Sequence, residues 1–137
     1  MTRSTEDYLK TIFILQKQCI FVLKTDVATA LGYTKPSVTM AVKKLQEQGY
    51  LERGGSRYLR LTEQGRRLAE RTYERHEVFT HMLQEAGVNP AQADADACQL
   101  EHAISDESFA ALKATKATMR SHGIHVWQQS EPNSDET

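Results

Sequence analysis

Residues 32–62 read GYTKPSVTMAVKKLQEQGYLERGGSRYLRLT, and the stops in this stretch leave the chain few ways to fold. Thr25 is placed to cap a short helix, DVATAL, that Gly32 ends, and YTKP makes a tight turn whose Pro36 suits the first turn of a further helix. That helix carries Val38, Val42 and Leu45 on one face, and Gly49 stops it. Beyond it, Leu51, Leu59 and Leu61 fall in short extended runs around Gly54-Gly55, a pair that tolerates the positive φ of a tight hairpin. Two short helices joined by a turn and followed at once by a hairpin spell a winged helix-turn-helix.

The rest of the chain reads as helix. Ser4 can cap a helix over about Thr5 to Gln18, with Tyr8, Ile12 and Leu15 on its apolar face. Thr62 opens a long segment with Leu68, Val78, Phe79, Met82 and Leu83 as its stripe and Gly87 as its stop. Asn89 and Pro90 begin PAQADADACQLEHAI, and Ser105 caps DESFAALKATKATM, whose Asp106 and Glu107 suit the positive end of a helix dipole. The expected fold is mainly α: a winged-helix domain over 1–72, a helical domain over 73–127 whose three helices around one small core make an economical dimerisation unit, and a disordered polar tail over 128–137.

Charge separates the two halves. The net charge of -1 hides a balance of +6 over residues 1–76 and -7 over residues 77–137. A basic N-terminal half suits a polyanion, and an acidic C-terminal half suits cations or a protein partner. With 137 residues the chain is short for an enzyme with a large cleft. No apolar run approaches the roughly 20 residues of a membrane span, and the start lacks a signal peptide's hydrophobic stretch, so a cytoplasmic protein without membrane association is expected. Its two distant cysteines then read as reduced thiols.

The basic half supplies a candidate interface with double-stranded DNA. Lys35, Lys43 and Lys44 on the third helix and Arg53, Arg57 and Arg60 on the wing can neutralise phosphates, while Ser37, Thr39 and Met40 can reach base edges in the major groove. Taken singly, such charges are ordinary solvated surface and Met40 equally suits a core. Their agreement with the element order and the +6 balance favours DNA.

In the acidic half, ACQLEHAISDE places Cys98, Glu101 and His102 at i, i+3 and i+4, one face of a helix. These are S, O and N donors, an incomplete shell for a transition ion, which Asp94 one turn earlier, His76 in YERHEVF and Asp7 in STEDYLK have the chemistry to extend. Each also has a plain structural reading. Asp7 completes a capping box with Ser4, His76 is an exposed helix histidine like His81, and Cys98 is a small buried apolar residue. The spacing alone leaves both readings open.

Over about Thr5 to Met119 the chain resembles the diphtheria toxin repressor family, in TEDYLKTIFIL, the winged helix, RLAERTYERHEVF and above all ACQLEHAISDE. The likeness is to the short, two-domain form of a family that includes iron-dependent repressors and manganese transport regulators. It implies a dimer that binds operator DNA when a divalent metal is present. By resemblance Cys98, Glu101 and His102 match the metal motif of iron-type members, His76 matches a ligand histidine, and Asp7 matches the helix-1 ligand of the manganese type. Lys10 stands where manganese regulators carry a second carboxylate, and its ammonium would repel a second cation. The iron-type ancillary site is partial, with Thr80 in place of a glutamate and Asp94 in place of a histidine.

The thiol of Cys98 favours Fe²⁺, Co²⁺ or Zn²⁺ over the harder Mn²⁺. Fe(II) is therefore the expected cofactor, with Mn(II) and Zn(II) as alternatives. The expected function is a metal-dependent repressor in which the ion links helix 1 to the dimerisation domain and fixes the spacing of the two recognition helices. Each tenfold population shift needs about 1.4 kcal/mol of preferential binding. A winged-helix regulator responding to a non-metal ligand or to none is the competing reading. A small metal-dependent hydrolase is disfavoured, since nothing pairs a nucleophile with an oriented base.

Overall fold

A computed structural model describes residues 2–121. It contains six helices: α1 (Arg3–Gln18), α2 (Lys24–Leu31), α3 (Lys35–Glu47), α4 (Glu63–Glu85), α5 (Pro90–Leu100) and α6 (Asp106–Ser121). Two compact units divide between Tyr73 and Glu74, a boundary that falls inside α4. The tail expected to be disordered lies outside the described residues.

The first unit is a winged helix built on one apolar cluster. Leu9 and Ile12 of α1, Val27 of α2, Val38, Val42 and Leu45 of α3, and Leu68 and Ala69 of α4 are buried together with Val22, Leu51 and Leu59. The α3 trio recurs at i, i+4, i+7, so one stripe of that helix is buried and the opposite face is left to solvent. Thr34 caps α3 by accepting the Ser37 N–H at 3.3 Å, Pro36 sits in its first turn, and Gly32 ends α2 at φ 70°.

Two helix starts differ from the sequence expectation. Thr2, and not Ser4, caps α1, accepting the Thr5 N–H at 3.2 Å. Ser4 lies inside the helix, so no capping box joins it to Asp7. The α2 start moves from Thr25 to Leu23, whose N–H donates to the Asp26 carboxylate at 2.8 Å. Both shifts are two residues, within the scatter of neighbouring capping types.

The wing is present in a reduced form. Its arms are joined by one antiparallel bridge, Leu51 to Leu61, flanked by the Glu52 N–H donating to the Arg60 carbonyl at 2.8 Å and the Thr62 N–H donating to the Tyr50 carbonyl at 3.0 Å. The expected two-stranded ladder is thus not formed beyond a bridge among the described residues. Between the bridge and the turn the first arm carries only exposed Glu52 and Arg53, so Tyr58 and the buried Leu59 of the second arm meet no apolar partner across the hairpin to reward a longer ladder. The second arm also joins the loop before α2, where the Leu59 N–H donates to the Val22 carbonyl at 2.8 Å.

The second unit packs the C-terminal half of α4 with α5 and α6 around Phe79, Ala97 and Phe109, with Val78, Met82, Ile104 and Leu112 against them. Asn89 caps α5 by accepting the Gln92 N–H at 2.9 Å, and Ser105 accepts the Ser108 N–H at 3.1 Å at the start of α6. Helix α5 ends at Leu100, four residues short of the expected Ile104. A buried arginine holds the segment that follows: Arg75 of α4, 3% exposed, donates to the Ile104 carbonyl at 2.6 Å and pairs with Asp106, while its guanidinium lies 4.9 Å from the Phe109 ring centroid. Residues 101–104 form the turn into α6, which Ser105 caps, and the Arg75 guanidinium holds that turn by the Ile104 carbonyl, one of the carbonyls a helix end leaves without a partner.

Candidate metal centre and nucleic-acid face

Helix α5 presents Asp94, Cys98 and Glu101 at i, i+4, i+7, one continuous face, since Glu101 keeps helical dihedrals at the cap position and its N–H still donates to the Ala97 carbonyl. This differs from the expected face of Cys98, Glu101 and His102: His102 falls in the turn past the helix end. What the α5 face meets is His76 of α4. Its Nδ1 lies 2.9 Å from Glu101 Oε2 and 3.6 Å from Cys98 Sγ, and its Nε2 lies 2.8 Å from Asp94 Oδ1.

Glu101 is the buried centre of the group. The residue is 2% exposed, and its two carboxylate oxygens face different imidazoles, Oε2 toward His76 Nδ1 and Oε1 toward His102 Nε2 at 3.1 Å. A carboxylate out of water needs such partners, because an unpaired buried charge is costly. One ligand atom each from His76, Cys98 and Glu101 lie within 4.8 Å of one another, a mixed N, S and O set that fits a divalent transition ion.

His76 is not a surface histidine like His81, which is half exposed and pairs with Glu85 on its own helix at 2.7 Å; the His76 side chain is 14% exposed and engaged from α5. Cys98 is half-buried beside His76, so burial alone does not explain a thiol there. Asp7 lies on α1 of the first unit, where its carboxylate is 3.9 Å from Arg3.

The first unit carries the basic face. Lys35, Ser37, Thr39, Met40, Lys43 and Lys44 are all exposed on α3, and Met40, which suited either core or surface in the sequence, is 75% exposed. The wing is tied to this helix: Arg53 Nε donates to the Gln46 carbonyl at 3.3 Å and Gln46 Nε2 donates to the Glu52 carbonyl at 3.2 Å. Between them runs an open groove of about 550 Å³ whose lining includes Lys43, Arg53 and Arg57 together with Lys24 at the start of α2. Lys24 was not singled out in the sequence, since only the fold brings the α2 start beside the wing. Four cations around one groove suit a phosphodiester backbone.

Comparison with known proteins agrees with both halves. Residues 1–59 match the family description "Iron dependent repressor, N-terminal DNA binding domain", and residues 62–122 match "Iron dependent repressor, metal binding and dimerisation domain". The chain is 32% identical over 105 residues to the iron-dependent repressor IdeR of Mycobacterium bovis, covering 76% of this chain but 46% of that protein. It is 32% identical over 108 residues to the transcriptional regulator MntR of Escherichia coli, covering 79% of this chain and 70% of the relative. A solved manganese-dependent transcriptional repressor in complex with manganese superposes with a TM-score of 0.72 at 30% identity, over 81% of this chain and 51% of that one. The chain therefore spans about half the length of some relatives it matches.

Proposed function

We propose that this chain, which belongs to the iron-dependent repressor family, is a metal-responsive transcriptional repressor that binds operator DNA as a homodimer. The observation that carries the reading is the convergence of His76 Nδ1, Cys98 Sγ and Glu101 on one point in the second unit, with His102 on the other oxygen of Glu101. A bound divalent ion would supply the positive charge that satisfies the buried carboxylate and ties these donors together. Asp7 completes the proposed ligand set through the family resemblance. Fe²⁺ is the proposed physiological ion, because a thiolate beside imidazole and carboxylate suits it better than Mn²⁺; Zn²⁺ competes on affinity. The proposed workplace is the cytoplasm, where operator DNA is found and thiols stay reduced; among the described residues no helix is long and apolar enough to cross a membrane.

Purified protein should retard operator DNA with Fe²⁺, Mn²⁺ or Zn²⁺ and release it on chelation, and His102→Ala should lose the response. Equal binding with and without chelator would favour a regulator with a non-metal effector or none.

On DNA, the wing and α3 have separable roles. Arg53→Ala or Arg57→Ala should weaken binding to all sequences alike and lower the salt slope of log K by about 1 each. Met40→Ala should leave that slope unchanged and alter base preference, since an apolar tip reads thymine methyl groups and no phosphates. Fluorescence anisotropy across a salt series on operator and scrambled duplexes separates the two. A Met40→Ala protein with unaltered preference would remove that residue from base readout.

A further inference from the structure

The metal reading leaves Asp94 without a task. It is not among the three residues whose donor atoms converge, and its side chain is 64% exposed, so it does not hold the core together. Yet its Oδ1 sits 2.8 Å from His76 Nε2, the nitrogen on the far side of the ring from Cys98 and Glu101. We propose that Asp94 is a positioning residue for the metal centre: it accepts a hydrogen bond from His76 Nε2–H, and so fixes the ring with Nδ1 as the nitrogen that ligates.

This inference rests on the metal reading above and adds a residue role to it. An imidazole has two nitrogens, and the hydrogen bond made by one decides which remains free to ligate. Both ring nitrogens face a carboxylate, Nδ1 that of Glu101 and Nε2 that of Asp94; an ion held between Nδ1, the thiol and Glu101 would take the place of a proton on Nδ1, while Nε2–H stays on Asp94. The nearby negative charge also makes Nδ1 a stronger donor. Position along α5 explains why the arrangement forms: Asp94 precedes Cys98 by four residues, so the same helix face brings the thiol to one edge of the ring and the carboxylate to the other.

The competing assignment makes Asp94 a ligand of a second, ancillary ion shared with His76 Nε2. The two differ in stoichiometry. If Asp94 is a positioning residue, its loss weakens one site; if it is a ligand, its loss deletes an ion.

The test uses the full chain as wild type, Asp94→Ala and Asp94→Asn. Zn²⁺ affinity and stoichiometry are measured by competition with a chromophoric chelator, and the His76 ring is followed by long-range ¹H–¹⁵N correlation in the Zn²⁺-loaded protein. The wild-type spectrum should show the Nε2–H form. Asp94→Ala should keep the wild-type number of ions per chain but bind about 10- to 100-fold more weakly, the usual effect of removing such a partner. Asp94→Asn, whose amide oxygen still accepts the N–H, should recover part of the loss and keep the Nε2–H pattern. Melting of the metal-free proteins should be alike, which separates positioning from stability.

Affinity within twofold of wild type in Asp94→Ala, or the loss of one whole ion, would overturn the proposal while leaving the metal centre standing. A wild-type chain that bound no Zn²⁺ would instead remove the metal reading and this role with it.

Discussion

Glu101→Gln is expected to abolish metal-responsive operator binding with little change to the metal-free fold. Glutamine keeps the shape of the buried side chain and can still hydrogen-bond an imidazole, so the second unit should retain its packing around Phe79, Ala97 and Phe109. What it loses is the negative charge that faces both His76 and His102. A neutral amide is a poor ligand for a divalent transition ion. Outer partners of ligands are worth about 10- to 100-fold in affinity, so replacing a central ligand should cost about 100-fold or more.

The consequence is measurable without DNA. A ligand present at 100 times its dissociation constant stabilises the folded state by about 2.7 kcal/mol, which should raise the melting temperature of the wild type on adding Zn²⁺. Glu101→Gln should melt near the metal-free wild type and show almost none of that rise at the same Zn²⁺ concentration. An undiminished rise would mean that Glu101 is not a ligand. A variant already unfolded without metal would show that the carboxylate is needed for the fold, a role that Glu101→Asp, keeping the charge but not the reach, would then separate from ligation.

The winged helix was legible because its signals are local. Pro36, Gly32, Gly49 and Gly54-Gly55 act within a turn of where they sit, and the α3 stripe repeats at helical period. The metal centre was legible only in its residue types. That His76 meets three side chains of α5 depends on how α4 and α5 pack, and no spacing within ACQLEHAISDE encodes it. The end of α5 was hidden for a related reason. Nothing between Leu100 and Ile104 breaks a helix by propensity, and the turn there is held by Arg75, a side chain on another helix. The same holds for Lys24, whose place beside the wing is a property of the folded unit. The α1 start lies at Thr2 and not at the expected Ser4; both are capping residue types, and periodicity does not resolve a two-residue shift.

Gly65→Ala is expected to destabilise the first unit, against what helix propensity alone implies. Gly65 is in the first turn of α4, where alanine would gain up to about 1 kcal/mol. A Cβ at that position, however, would stand 2.0 Å from the Tyr50 carbonyl oxygen and 2.9 Å from its carbon. The obstacle is backbone that is itself fixed, since that carbonyl accepts the Thr62 N–H at 3.0 Å. Thr62 Oγ1 in turn accepts the Gly65 N–H at 3.1 Å and donates to the Gly49 carbonyl at 2.6 Å, so the end of α3, the root of the wing and the start of α4 are tied at one place. Relief requires the α4 start to move away from the wing root, breaking these bonds. Overpacking costs about 1 to 3 kcal/mol and occasionally more, and a clash with fixed backbone belongs at the upper end. A net loss of about 2 kcal/mol should lower the melting temperature by about 10 °C in a unit of this size. Operator affinity should fall as well, even well below the melting point, because Arg53 and Arg57 would be displaced relative to α3. Gln64→Ala, an exposed change one residue earlier, is the control and should melt within a few degrees of wild type. A Gly65→Ala protein as stable as that control would show that the wing root gives way at little cost.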